Sequence, residues 1–189
     1  MTSFWTGKRV RLRAIEPDDW SAFRHFAEDE EGLGDLLNPP RSAEHFRAWA
    51  KDQAVAKSDG DCFGLAIQAV ETGKIVGAVG SHDADPRAGW FEYGVTMGAV
   101  HRRKGYASEA AVLLLRFMFD ERRFHKCAAR IFAHNEPSLA LQRRLGFIEE
   151  GRLRDQVFSG GRHHDLVIMG LLAEEFAHLH SPRGRPGAQ

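Results

Sequence analysis

Residues 90 to 121 constrain this chain more than any other stretch, because strand, loop and helix patterns follow one another there almost without a gap. Trp90 to Met97 is a short run with the composition of a strand, and Arg102-Arg103-Lys104-Gly105 is a basic loop closed by glycine. From Tyr106, apolar residues at helical spacing (Ala107, Ala111, Leu114, Met118) predict a helix to about Glu121. A strand that feeds a helix across so short a loop belongs in a layered arrangement of sheet and helices. The junction also has a chemical consequence. The first N–H groups of a helix have no partner inside it and make an anion site where the approach is open. Gly105 lets the backbone come close, Ala107 keeps the first turn slim, and Arg102, Arg103 and Lys104 add positive charge. A pyrophosphate fits that description, and so does a solvated turn ahead of an ordinary helix. The spacings of a P-loop and of a dinucleotide-binding glycine turn are both missing.

Any such anion site must be local. The 26 Lys and Arg residues cancel the 26 Asp and Glu, so no overall field draws the chain to nucleic acid or to a membrane surface. The longest apolar run, Ala110 to Leu115, is far too short to cross a bilayer. The first residues lack an apolar signal core, and the expected location is cytoplasmic. At 43% hydrophobic and 28% charged residues, the composition is that of a globular domain. Cys62 and Cys127 lie in strand-like runs with no second ligand at metal spacing. They read as two buried free thiols in a reducing compartment, with a catalytic nucleophile as the alternative.

The rest of the chain fills in around the junction. Val10, Leu12 and Ala14 alternate with Arg9, Arg11 and Arg13, the pattern of a half-buried strand. Pro17 opens a helix whose stripe is Trp20, Phe23 and Ala27. Ser42 caps a second helix carrying Phe46, Trp49, Ala50 and Gln53. Strands follow at about Cys62–Val70 and Lys74–His82, ahead of Trp90–Met97. After the central helix come a strand at Lys126–His134 and a helix from Pro137 to Leu145, stopped by Gly146. A closing hairpin, Phe147–Phe158 and Arg162–Leu172, turns around Ser159-Gly160-Gly161. The order β-α-α-β-β-β-α-β-α-β-β indicates a mixed α/β sheet with helices on its faces. Residues 1–180 read as one domain and 181–189, with two Pro and two Gly, as a flexible tail.

Three motifs carry a resemblance. Arg102-x-x-Gly105-x-Ala107 resembles the (Gln/Arg)-x-x-Gly-x-(Gly/Ala) loop with which GNAT acetyltransferases hold the pyrophosphate of CoA. Asn135-Glu136-Pro137-Ser138, followed by Arg144-Leu145-Gly146-Phe147, resembles the second motif of that superfamily. Gly160-Gly161-Arg162-His163-His164-Asp165 is similar to its ribosomal-protein N-terminal (Rim-type) branch. The resemblance spans about residues 8 to 176. It implies an α+β fold whose mostly antiparallel sheet is splayed between its fourth and fifth strands and flanked by about four helices. It implies acetyl-CoA as cosubstrate, no metal, and direct attack by a primary amine without an acyl-enzyme. The acceptor is then a protein N-terminus or a small amine such as a polyamine, an antibiotic or an amino sugar. A non-catalytic acyl-CoA sensor on the same fold is the reading from another class, and a homodimer stays open.

The resemblance also suggests roles. The backbone of Val95, Thr96 and Met97 would bond the pantetheine arm, and Arg102, Arg103, Lys104, Gly105, Tyr106 and Ala107 would hold the phosphates. Tyr106 can cover them or simply pack. Asn135 can contact the CoA arm or act as an N-cap. Acetyl transfer needs a neutral amine, a stabilised oxyanion and a proton for the leaving thiolate. Glu92, the one acid in Trp90–Met97, is the candidate base, against an exposed strand Glu or an ion-pair partner. Many relatives place a Tyr general acid where Gln142 stands, and Gln cannot give that proton. Ser138 is the alternative acid, against a first-turn Ser that bonds backbone N–H groups. Some relatives carry a carboxylate at the place of Val157; Asp155 can stand in for it or be a solvated strand Asp. His163, His164 and Asp165 are adjacent strand residues, which point to opposite faces and argue against a metal. Acceptor choice falls to residues 28–45 and the hairpin near Ser159, with Asp29, Glu30, Glu31 and Asp35 as a draw for a cationic amine.

Overall fold

The computed structural model describes residues 3–28, 39–56 and 60–180. In chain order the elements are β1 (Val10–Arg13), α1 (Trp20–Ala27), α2 (Ala43–Val55), β2 (Phe63–Ala69), β3 (Ile75–Asp85) and β4 (Trp90–Met97). They continue with α3 (Tyr106–Arg116), β5 (Lys126–Phe132), α4 (Glu136–Leu145), β6 (Ile148–Ser159), β7 (Arg162–Leu172) and α5 (Ala173–His180). The strands form one sheet in the order β1-β2-β3-β4-β5-β7-β6. Every neighbouring pair is antiparallel except β4 and β5. That exception follows from connectivity, since only a crossover such as α3 can bring the chain back to start a parallel strand.

The strand alternation read from the sequence decides which helices lie on which face. On one face Ile15, Phe23, Phe46 and Ala66 pack with Trp20, Phe26 and Trp49 from α1 and α2. On the other, Val10, Leu12, Ile67, Val79 and Phe91 pack under Leu114, Leu115 and Met118 of the α3 segment and Leu139 and Leu145 of α4. The start of β1 is tied to α3 by a side chain. Glu109 accepts the backbone N–H groups of Lys8, Arg9 and Val10 at 2.8, 2.7 and 2.8 Å. Charge-assisted bonds of this kind are about twice as strong as neutral ones.

Several expectations need correction. The central helix is α-helical only to Arg116 and widens into a π turn over Phe117–Glu121. Ala27 and Ala14 are exposed, so each apolar stripe is one residue shorter than the alternation suggests. Five helices flank the sheet among the described residues, because α5 follows β7 directly. Its start is set by Glu175, which accepts the N–H of Leu172 at 2.8 Å, and its hold by Phe176 against Phe119, ring centroids 5.3 Å apart. At eight residues it carries too few turns for periodicity to announce it. Cys127 is buried, but Cys62 is exposed, because the strand begins only at Phe63. The acidic positions Asp29, Glu30, Glu31 and Asp35, and residues 181–189, lie outside the described residues. No described helix is long and apolar enough to cross a membrane.

Candidate functional site

The site grows out of the one parallel pairing. β4 and β5 are in register at Trp90 with Lys126, Phe91 with Cys127, and Glu92 with Ala128, and there the pairing ends. Beyond it β4 keeps β3 on one side, through Gly80–Gly94 to Gly77–Met97, while β5 keeps β7 on its far side. From Tyr93 to Met97 the other edge of β4 therefore faces a cleft, with half of its backbone polar groups directed there. This is the splay expected between the fourth and fifth strands. Val95, Thr96 and Met97 line its β4 edge.

Aromatic packing under the cleft accounts for Gln142. Tyr93 is buried, stacked on Phe147 with centroids 5.6 Å apart, and its hydroxyl donates to Gln142 Oε1 at 2.6 Å. Burial, with the Cys127 thiol beside it, pushes the Tyr93 hydroxyl well above the usual phenol range, so it remains a protonated donor. Gln142 is only 3% exposed and committed to this pair. Position 142 thus carries a core acceptor.

Glu92 sits at the last position of β4 paired with β5, on the α1–α2 face of the sheet, directly opposite His82 on β3. Its carboxylate lies 3.6 Å from His82 Nε2, with the glutamate side chain 13% exposed and the imidazole 52% exposed. Cys127 backs onto the same position, and burial followed by the Glu92 charge pushes its thiol well above the usual range. A thiol that stays protonated and fully buried is no nucleophile, which removes Cys127 from the cysteine alternative.

At the far end of β4 the anion loop has the required geometry. Gly105 is the N-cap of α3 in the left-handed region (φ 80°), and Arg103 is left-handed too (φ 61°). The first return bond of the helix runs from Glu109 N to Gly105 O at 3.2 Å, which leaves the N–H groups of Tyr106, Ala107 and Ser108 outside the helix ladder. Arg102, Arg103 and Lys104 are exposed. A fourth cation joins them from a distance in sequence: Arg9 Nη1 lies against Gly105, where a Cβ would collide with it. No local signal marked Arg9, since the start of β1 is brought to this loop by tertiary contacts, the Glu109 clamp and the ladder with β2. Burial, with Lys104 and Lys74 nearby, holds the His101 imidazole below its usual range. These residues fit a pyrophosphate. Tyr106 is half-buried and packs against the core.

On the opposite wall, Asn135 caps α4, its side chain accepting from Ser138 N at 3.2 Å. The backbone of the first turn is therefore capped by Asn135 and needs nothing from the serine. Among the described residues the half-buried Ser138 hydroxyl has no hydrogen-bond partner. Asp155 does not share a face with Val157 in the regular way, because a register shift between Leu153 and Val157 leaves it exposed at φ 52°. Its N–H donates to Asp165 Oδ1 at 3.1 Å, so Asp165 anchors this bulge. His163 packs on Phe158 while His164 turns to His134, ring centroids 4.1 Å apart; the two diverge as alternation requires.

A sheet opened between parallel neighbours, with a helix start suited to an anion at one wall, leaves a cleft that fits a long anionic cosubstrate. The comparisons agree. Residues 9–148 match the acetyltransferase (GNAT) domain family, and the chain belongs to it. It is 35% identical over 175 residues to YokL, an N-acetyltransferase of SPbeta prophage origin in Bacillus subtilis, covering 92% of this chain and 96% of the relative. It is 28% identical over 178 residues to YdaF of Bacillus subtilis, whose name provisionally ranks it as a ribosomal N-acetyltransferase, covering 89% and 94%. It is 24% identical over 190 residues to the spermidine N(1)-acetyltransferase of Escherichia coli, covering 93% and 92%. The solved spermidine/spermine N-acetyltransferase SpeG from Vibrio cholerae superposes with a TM-score of 0.73 at 19% identity, covering 91% and 98%. The protein is thus an acetyl-CoA-dependent enzyme that transfers acetyl to an amine.

Proposed function

We propose that the acceptor is a small polyamine-type primary amine, deprotonated by Glu92. The observation that carries the catalytic part is the place of Glu92: the last paired residue before the cleft, partly buried, on the face covered by α1 and α2. Acetyl-CoA supplies an activated thioester. The edge of β4 at Val95–Met97 holds the pantetheine arm by backbone bonds, and the 102–107 loop with Arg9 neutralises the phosphates. Glu92 accepts a proton from the incoming ammonium, which frees the nitrogen lone pair to attack the acyl carbon as the carbon–sulfur bond breaks. The Ser138 hydroxyl, on the opposite wall, bonds the departing sulfur. Asn135 positions that turn and offers its amide to the arm.

Two observations favour a polyamine. One is the run Asp29, Glu30, Glu31 and Asp35 in the segment between α1 and α2, a charge pattern suited to a polycation. The other is the likeness to enzymes named for spermidine, in sequence and in fold. The likeness to YdaF and the Gly160–Asp165 run favour a second reading, a protein N-terminus. Thiol release from acetyl-CoA, measured with spermidine, spermine, putrescine and short peptides bearing a free N-terminus, separates the two. Higher kcat/KM for polyamines is expected, and a preference for the peptides would overturn this acceptor. Acetyl-CoA binding without thiol release from any amine would leave a sensor.

A further inference from the structure

Acetylation of an ammonium removes two protons from nitrogen. One ends on the thiol, and the other has to reach solvent before the base can act again. Glu92 is poorly placed to release it, since its side chain is only 13% exposed. His82 is the group beside it that is well placed. It stands directly across the β3–β4 ladder, with Nε2 at 3.6 Å from the carboxylate and the side chain 52% exposed. Imidazole is the side chain that both takes and gives a proton near neutral pH.

The backbone is arranged to hold this pair. Regular pairing of β3 with β4 ends at His82, and a bulge with Asp83 at φ 46° intervenes before Asp85 meets Trp90. Bulges re-aim side chains. The next residue of β4 on that face is Gly94, and a Cβ there would lie 3.5 Å from His82 Cε1. The imidazole thus rests on the open floor that glycine leaves beside the cleft. The charged group facing the pair is Asp83, whose carboxylate lies with the other two within 4.8 Å, while Cys127, which stays protonated, lies behind Glu92 in the core on the other side of the sheet.

We infer that His82 is the proton-relay residue of this enzyme, taking the amine proton from Glu92 and releasing it to solvent. The inference rests on Glu92 acting as base. In the step, the N–H bond of the ammonium breaks toward a Glu92 oxygen. The proton then passes to His82 Nε2, directly or through one water, and leaves from the exposed imidazole, so Glu92 returns to the carboxylate.

The test uses His82→Ala and His82→Gln in the full chain, with one amine that the wild type acetylates. Each variant should lose about tenfold in kcat near neutral pH, a modest share of what acid–base groups contribute. The dissociation constant for acetyl-CoA and the melting temperature should stay at wild-type values. Added imidazole should restore turnover in His82→Ala and leave Glu92→Gln unaffected. Undiminished kcat in both variants would overturn the relay, as would a loss that imidazole does not relieve. If Glu92→Gln is itself fully active, the base assignment fails first, and no thiol release by the wild type would fail acetyl transfer; neither result resembles failure of the relay alone.

Discussion

The two ends of β4 support chemistry in different ways. At its C-terminal end the proposed anion loop is built mainly by main chain: a left-handed Gly105, the first N–H groups of α3 and a basic run adjacent in sequence. Toward its N-terminal end, Glu92 depends on side chains drawn from other strands, with His82 across the ladder and Ala128 at the last parallel pair. A site made of backbone tolerates many side chains and fails when the backbone is blocked. A site made of side chains fails when a single atom changes.

The sharpest way to break this contrast is Glu92→Gln. If Glu92 is the base, kcat/KM should fall about 10²–10⁴-fold near neutral pH, because Gln keeps the shape and loses the proton acceptor. The gap should narrow at high pH, where the amine arrives neutral. Rates for both proteins over about pH 6 to 10 decide this, since an amine near its ordinary pKa is mostly protonated over much of that range. Parallel profiles would remove Glu92 from proton transfer.

Next in size is Glu109→Ala, which leaves the N–H groups of Lys8, Arg9 and Val10 without their shared acceptor. Stability by urea denaturation should drop by about 2 kcal/mol, in the range for bonds to a charged group. CoA affinity should fall with it, because Arg9 loses its anchor. Unchanged affinity would mean that the loop works without its fourth cation.

Gly105→Glu probes the main-chain end directly. A side chain there meets Arg9 and strains a residue at φ 80°, and the new charge opposes phosphate. CoA binding by calorimetry should weaken at least about tenfold, roughly 1.4 kcal/mol, with the fold retained. The smallest effect belongs to Ser138→Ala. Losing one hydrogen bond to the departing sulfur should lower kcat by about fivefold, roughly 1 kcal/mol, with acetyl-CoA affinity unchanged. If kcat also holds, the thiolate leaves without a dedicated donor.

What the sequence by itself determined was the main local elements. The bounds of β4, the helix after the 102–105 loop, the stop at Gly146 and the closing hairpin all follow from patterns within one turn or one ladder step. The loop proposed to hold the phosphates was legible as a helix start for the same reason, because its parts are consecutive. Tertiary structure alone decided the rest. Gln142 looks like a missing acid along the chain, yet it is the buried acceptor for a tyrosine 49 residues away. Arg9 reaches Gly105 with the start of β1 held by Glu109 across roughly a hundred residues and by its pairing with β2. His82 meets Glu92 because a strand register sets them opposite and Gly94 leaves the floor open. Periodicity states which face a residue occupies, but which residue lies opposite is settled by turn lengths, bulges and register, and those are fixed only when the sheet closes.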